Sequence, residues 1–257
     1  MAAENPTAVV ECQIPSGPAP PSATARLIDF KETNLGLYED FFAMVIDDLF
    51  TPSECAALLS VVQPAGNSKP QWPPATVTAH NGTRFVDLAS RDCGRIIHES
   101  QTLADALLGR ILPHMPPAVA SLTNAPGITG QAAVVNMETW KIARLDSALR
   151  FLRYEPGQYF SPHCDGHYVG KGGRAEKSFL TVHLYLNGGG QGGGEEIEGG
   201  ATRFGIDFEN PKEDKLDIDP KQGSVLIFQQ RDMYHEGVEV RKGTKYTLRT
   251  DVIYEKV

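Results

Sequence analysis

Tyr154-Glu155-Pro156-Gly157-Gln158-Tyr159-Phe160-Ser161-Pro162-His163-Cys164-Asp165-Gly166 is the stretch that decides how this chain is read. Residues two apart on a β-strand point to the same side, so His163 and Asp165 can chelate one ion while Cys164 turns away. A second imidazole, His235, stands far downstream. Two imidazoles and one carboxylate take one face of an octahedral iron(II) site and leave the opposite face open for a substrate acid and dioxygen. A chain with seven His contains His-x-Asp by chance at roughly even odds, so the surrounding residues decide the matter.

Around this stretch, from about Leu149 onward, short apolar segments alternate with Gly, Pro and Asn. Residues 151–154, 179–186, 201–204, 224–228 and 245–254 suit strands, and the turns between them suit an antiparallel barrel or sandwich. The fold class expected is mainly β with flanking helices. Residues 187–200 are Gly-rich and acidic, with Glu195, Glu196 and Glu198. They lack the Lys and the strand-loop-helix setting of a phosphate loop, so a flexible hairpin tip or lid is expected.

Upstream the pattern changes. Residues 1–25 are rich in Pro, Ala and Ser and read as a flexible arm. Residues 45–50 suit a strand ending at Thr51-Pro52-Ser53-Glu54, where Thr51 and Glu54 can form a capping box and Pro52 sits at the first helical position. Ala57, Leu58, Val61 and Val62 then form one stripe. A second amphipathic helix is expected from about Thr102 to Pro113, with Asp105 completing another box and Leu103, Leu107, Leu108 and Ile111 on its apolar face. Residues 26–257 are expected to form a single domain, with helical support over 26–148 and the catalytic core over about 149–254.

A net charge of −8 argues against a nucleic-acid partner, which would call for a basic stripe. No run of about 18 apolar residues suggests a membrane span, and residues 1–10 do not read as a signal peptide. Cys12, Cys55, Cys93 and Cys164 show neither metal-like pairing nor disulfide density, so a reducing, cytoplasmic setting is expected.

The opening stretch resembles the strand pair that begins the catalytic core of the prolyl 4-hydroxylase-like iron(II)/2-oxoglutarate dioxygenases. Ser178-Phe179-Leu180-Thr181-Val182-His183-Leu184-Tyr185-Leu186-Asn187 resembles the next family strand, and Gly199-Gly200-Ala201-Thr202-Arg203-Phe204 the one after it. The block from His235-Glu236-Gly237 to Gly243-Thr244-Lys245-Tyr246 places a Lys ten residues beyond the second His, which matches the family's 2-oxoglutarate anchor. Four ordered blocks are far more specific than any one of them.

The resemblance implies a double-stranded β-helix (jelly-roll) core that uses Fe(II), 2-oxoglutarate and O2, with His163, Asp165 and His235 holding the metal. Lys245 is expected to meet the distal carboxylate of 2-oxoglutarate, which would offset the burial of its ammonium. Family analogy places Tyr154 near the cosubstrate. It also points Thr181, His183 and Tyr185 inward, with Tyr185, and after it Thr181, as donors to the same acid. His183 is expected to pack or to face substrate rather than to ligate. Arg249, about 13 Å along the same strand face, is the alternative anchor, or else a contact to the prime substrate.

The expected reaction is oxidation, most simply hydroxylation, of an unactivated C–H bond with release of succinate and CO2. Two substrate types compete: an amino-acid-like or other small molecule, and a prolyl residue of a peptide or protein. The chain shows no recognisable peptide-binding domain and carries an insertion-like segment at about 130–146 containing Trp140, which tilts the reading to the small molecule. From another class, a non-catalytic metal-binding jelly-roll module remains open.

Overall fold

The structure is a computed structural model that describes residues 17–63, 71–78, 82–170, 175–189, 196–205, 207, 210 and 215–257. The strand pattern produces two large antiparallel sheets, with two two-stranded ones beside them. The larger, of nine strands, runs in the order Thr24–Leu27, Ala43–Asp47, Val225–Gln229, Glu176–Tyr185 and Lys245–Lys256. The last of these carries Ala148–Tyr154 along its first half and Thr139–Leu145 along its second. Ser121–Thr123 and Gly94–Glu99 close the far edges. The smaller sheet orders Leu216–Ile218, Thr202–Phe204, His235–Gly237, Tyr159–His163 and Arg91–Asp92.

From residue 148 onward the chain steps back and forth between the two sheets, and this alternation makes the core a double-stranded β-helix, the fold class expected. Period-two alternation sets what each face holds. Along Glu176–Tyr185, Leu180, Val182 and Leu184 pack on the helical side with Leu103, Leu107 and Ile111. Tyr185 instead joins Phe204, Phe228 and Met233 between the sheets. The last strand does the same, burying Leu248, Val252 and Tyr254 outward and turning Lys245, Thr247, Arg249 and Asp251 inward. Truncating a buried Leu of this outer layer to Ala costs about 2–5 kcal/mol, so the helices hold the sheet that carries the site.

Both helices are where the sequence expects them, with one change of cap. Pro52–Ser60 has its box: Glu54 N–H donates to Thr51 Oγ1 at 3.3 Å, and Thr51 N–H donates to Glu54 Oε2 at 2.8 Å. Gln101–Ile111 starts one residue earlier than expected because Ser100, not Thr102, accepts from Leu103 N–H, and Asp105 takes Gln101 Nε2 instead of closing a box. Arg110 ties the two helices together through a forked pair to Glu54, at 2.6 and 2.9 Å.

Three expectations upstream of the core change. Residues 1–16 of the expected arm lie outside the described residues. The described part of it is packed: Thr24 and Ala25 pair with Asp47 and Ile46, and Gly17 O accepts from Arg110 Nε. The supposed insertion is part of the sheet, since Thr139–Leu145 pairs with the last strand and buries Trp140. Residues 26–148, expected as helical support, contribute strands as well as helices, because their short β segments were too brief for a periodic signal. No helix among the described residues is long and apolar enough to cross a membrane.

Candidate active site

His163 ends its strand and faces His235 directly across the antiparallel ladder. Directly opposed residues share a face, so the register brings the two imidazoles together, with ring centroids 4.3 Å apart. Asp165, two residues on, completes the group. Its oxygens lie 3.7 Å from His163 Nε2 and 3.8 Å from His235 Nε2, and one ligand atom from each residue falls within 4.8 Å of the others.

The backbone fixes which ring nitrogen is free. His163 Nδ1 lies 2.8 Å from the Ser161 carbonyl and His235 Nδ1 lies 3.1 Å from the Met233 carbonyl. A carbonyl can only accept, so each Nδ1 carries the proton and each Nε2 turns its lone pair toward Asp165. Burial pushes the His163 imidazolium pKa down to about 3 and lowers that of His235, which keeps both rings neutral and able to ligate. Burial alone would raise the Asp165 carboxyl. Arg249, the two imidazoles and the Thr181 hydrogen bond outweigh it and hold Asp165 well below the usual carboxylate range. Two neutral imidazoles and one carboxylate with convergent lone pairs fit iron(II).

Deeper in the same cavity lies Lys245, 2 % exposed. Its Nζ donates to Gly200 O at 2.6 Å and sits over the rings of Tyr154 and Tyr185 at 5.2 and 5.7 Å. Gly200 sits at φ +71°, where a side chain is strained, and a Cβ would also come within 3.1 Å of Lys245 Cδ and Val240. Among the described residues no carboxylate pairs with this ammonium, and burial lowers its pKa to about 8. His183, lining the same space, has a buried Nε2 with no hydrogen-bond partner among the described residues. A lone ammonium and an orphaned polar nitrogen beside a metal triad fit a dicarboxylate that chelates at one end.

Three side chains expected to meet that acid have partners within the protein. Tyr185 donates its hydroxyl to Thr202 Oγ1, a residue of the cavity wall, at 2.8 Å. Thr181 donates to Asp165 Oδ2 at 2.6 Å, so its hydroxyl serves the metal carboxylate. Arg249 lines the cavity and is held there by two carboxylates. Its Nη2 lies 3.0 Å from Asp165 Oδ1 and 3.1 Å from Asp251 Oδ1. Alternation on a strand says which face a side chain takes, but the partner it finds there depends on the facing sheet. Tyr154 stands opposite Lys245 in the ladder and lines the cavity.

The sequence reading missed Arg91, Phe160 and Thr202 as cavity residues. Arg91 comes from a two-residue strand that leaves no pattern to read. A neighbouring cavity of about 430 Å³ shares Asp165 and is lined by Cys164, His167, Lys177, Ser178, Gln230 and Tyr234, among others. Residues 190–195 of the Gly-rich segment, expected as a hairpin tip or lid, lie outside the described residues.

Residues 149–250 match the family model of the 2OG-Fe(II) oxygenase superfamily. No curated protein matches the chain. Among solved structures, similarity extends to a viral collagen prolyl hydroxylase from Paramecium Bursaria Chlorella virus-1 in complex with 2OG. It shows 18% identity over 82% of this chain and 94% of that one, at a TM-score of 0.44. A Pseudomonas putida prolyl-4-hydroxylase follows at 16% identity, 69% and 76% coverage and TM-score 0.39. An oxidoreductase of the 2OG-Fe(II) oxygenase family from Burkholderia pseudomallei gives 15% identity, 80% coverage of each chain and TM-score 0.38. Residues 149–250 are thus a 2OG-Fe(II) oxygenase superfamily domain and the protein is a 2-oxoglutarate-dependent dioxygenase, as the four sequence blocks implied. Its cofactor and cosubstrates are Fe(II), 2-oxoglutarate and O2, and the His-Asp-His triad fits the iron.

Proposed function

We propose that this enzyme hydroxylates an unactivated C–H bond of an amino-acid-like or other small molecule, with His163, Asp165 and His235 as iron ligands and Lys245 as the 2-oxoglutarate anchor. The observation that carries the reading is the buried, uncompensated ammonium of Lys245 in the cavity that holds the triad. When bound, the iron activates dioxygen and couples loss of CO2 from 2-oxoglutarate to oxidation of the prime substrate. In balance, one substrate C–H, one O2 and one 2-oxoglutarate give one C–OH, one succinate and one CO2.

The chain's own residues supply placement. His163 and His235, each tied at Nδ1 to a backbone carbonyl, present Nε2 in fixed directions. Thr181 and Arg249 hold the Asp165 carboxylate so that it need not reorganise. Lys245 takes the distal carboxylate of the cosubstrate, and Tyr154 and Tyr185 wall off its ammonium from water. His183 offers its orphaned Nε2 inside the same dry cavity.

Anaerobic titration of the iron-loaded protein with 2-oxoglutarate tests the reading. A working site gives a weak visible charge-transfer band that saturates with 2-oxoglutarate. Its absence, with iron bound, would sink the proposal and favour a non-catalytic metal-binding module.

A further inference from the structure

We propose that Arg91 receives a carboxylate of the prime substrate, so that the enzyme acts on a free carboxylic acid; this rests on the iron and 2-oxoglutarate reading above. Arg91 stands opposite Phe160 in the small sheet, with its guanidinium carbon 4.3 Å above the Phe160 ring. That ring in turn stacks on the triad imidazole of His163 at 3.6 Å. The guanidinium is therefore one aromatic ring away from the metal triad, and it lines the same cavity as His163, Asp165, His235 and Lys245.

Its surroundings do not neutralise it. Arg91 is 9 % exposed, and among the described residues no carboxylate forms an ion pair with it. Nε donates to Cys93 Sγ at 3.3 Å, a weak acceptor, and the Tyr154 phenol is the other polar neighbour. Asp92, next in the chain, accepts from Gln158 Nε2 instead. A guanidinium cannot shed its proton as a lysine can, so a buried one calls for an anion.

Counting charges identifies which anion. 2-Oxoglutarate brings two carboxylates, one for the metal and one for Lys245. Arg249 already has Asp165 and Asp251. Arg91 is the cation left over, with its guanidinium fork over the Phe160 ring that stacks on His163. A third carboxylate meets that fork bidentately, and the prime substrate is the component still to be accounted for. A capped peptide segment, which offers only neutral carbonyls, leaves the charge unmatched.

Calorimetric titrations with zinc(II) in place of iron(II) and saturating 2-oxoglutarate separate the outcomes without turnover. The probes are the common L-amino acids and short aliphatic acids, each beside its carboxamide, together with an end-capped prolyl peptide. At least one acid should bind, and its carboxamide should bind roughly ten- to a hundredfold more weakly. Arg91→Gln should lose a similar factor for the acid but not for the carboxamide, and Arg91→Lys should recover part of it. The lysine variant also serves if Arg91→Gln does not fold. 2-Oxoglutarate affinity should stay within about threefold of wild type in both variants.

Equal binding of acid and carboxamide, binding of the capped peptide alone, or binding of no probe would each overturn the proposal. So would a loss confined to 2-oxoglutarate, which would assign Arg91 to the cosubstrate. Failure of the wild-type protein to bind 2-oxoglutarate would instead break the underlying reading, a separate and earlier result.

Discussion

Lys245 and Arg249 lie four residues apart on one inward strand face, yet they live in opposite electrostatic conditions. Arg249 is saturated: Asp165 and Asp251 pair with it, Arg150 backs Asp251 at 3.3 Å, and buried Gln230 donates to Asp251 at 3.0 Å. Lys245 has one carbonyl and two aromatic rings. A closed network is part of the folded structure and keeps its geometry without a ligand. An open one stores an unmet charge, so it marks where an anion belongs. The unmatched groups, Lys245, Arg91 and His183, line the same cavity as the matched Arg249, which is tied to Asp165.

The largest effect expected is loss of the metal. His163→Ala, Asp165→Ala and His235→Ala should each weaken iron or zinc binding by more than about a hundredfold and abolish succinate production, since outer-shell partners alone are worth about ten- to a hundredfold. Asp165→Ala should also destabilise the fold, because it leaves Arg249 short of one partner in a dry site. Near-wild-type metal affinity in any of the three, measured by calorimetry, would remove that residue from the triad.

Next in size is the contrast between the two cations. Lys245→Ala should weaken 2-oxoglutarate binding by about 3–5 kcal/mol, roughly a hundred- to several-thousandfold, the usual cost of taking one partner from a buried pair. Affinity should also fall as pH rises above about 8, because only the ammonium pairs with the acid and burial has already lowered the Lys245 pKa to about 8. The same shift has a sign in stability. Below about 8 the buried charge costs the ligand-free protein its full penalty, and the penalty fades as pH rises from about 8 to the usual 10.5. Wild type should therefore gain on Lys245→Met over that window in urea melts without ligand. A flat difference would mean that Lys245 is already compensated.

Arg249→Ala breaks the closed side instead. It should cost metal affinity by about ten- to a hundredfold and lower stability, while 2-oxoglutarate affinity at saturating metal moves far less than in Lys245→Ala. A large loss of 2-oxoglutarate affinity confined to Arg249→Ala would reverse the assignment of the two cations. Thr181→Val should be a milder version, since one hydrogen bond to Asp165 is lost and the shape is kept.

This pair of cations also shows what the sequence could and could not say. The triad was legible because its requirements are local. A two-residue spacing and one cross-strand partner suffice, and His163 and His235 do meet across a ladder. Lys245 was singled out by the resemblance through its spacing from His235, and it does line the cavity of the triad. The Asp165 partner of Arg249 was not, because Asp165 follows a strand of the facing sheet and spacing within the last strand carries no information about it. Arg91 was silent for a related reason: a strand of two residues has no period, and its cavity position depends wholly on pairing with Phe160. In the fold, long alternating strands and the Thr51 box could be read directly. Strand Thr139–Leu145 could not, because its partner, the last strand, lies about a hundred residues away.

The smallest effect tests whether the closed and open sides stay as drawn once the cosubstrate binds. Tyr185 was expected to donate to 2-oxoglutarate, yet its hydroxyl is spent on Thr202 Oγ1, and burial raises its pKa. If that bond persists in the complex, Tyr185→Phe removes one buried hydrogen bond and nothing from the ligand. The cost should be about 0.5–1.5 kcal/mol of stability, a melting shift of a few degrees, because Thr202 loses a donor while the ring still packs. 2-Oxoglutarate affinity should stay within about threefold of wild type, since the Lys245 charge, its main attraction, is untouched. A tenfold loss of affinity with little loss of stability would show that the hydroxyl swings from Thr202 to the acid on binding. Tyr185 would then belong with Lys245 on the open side.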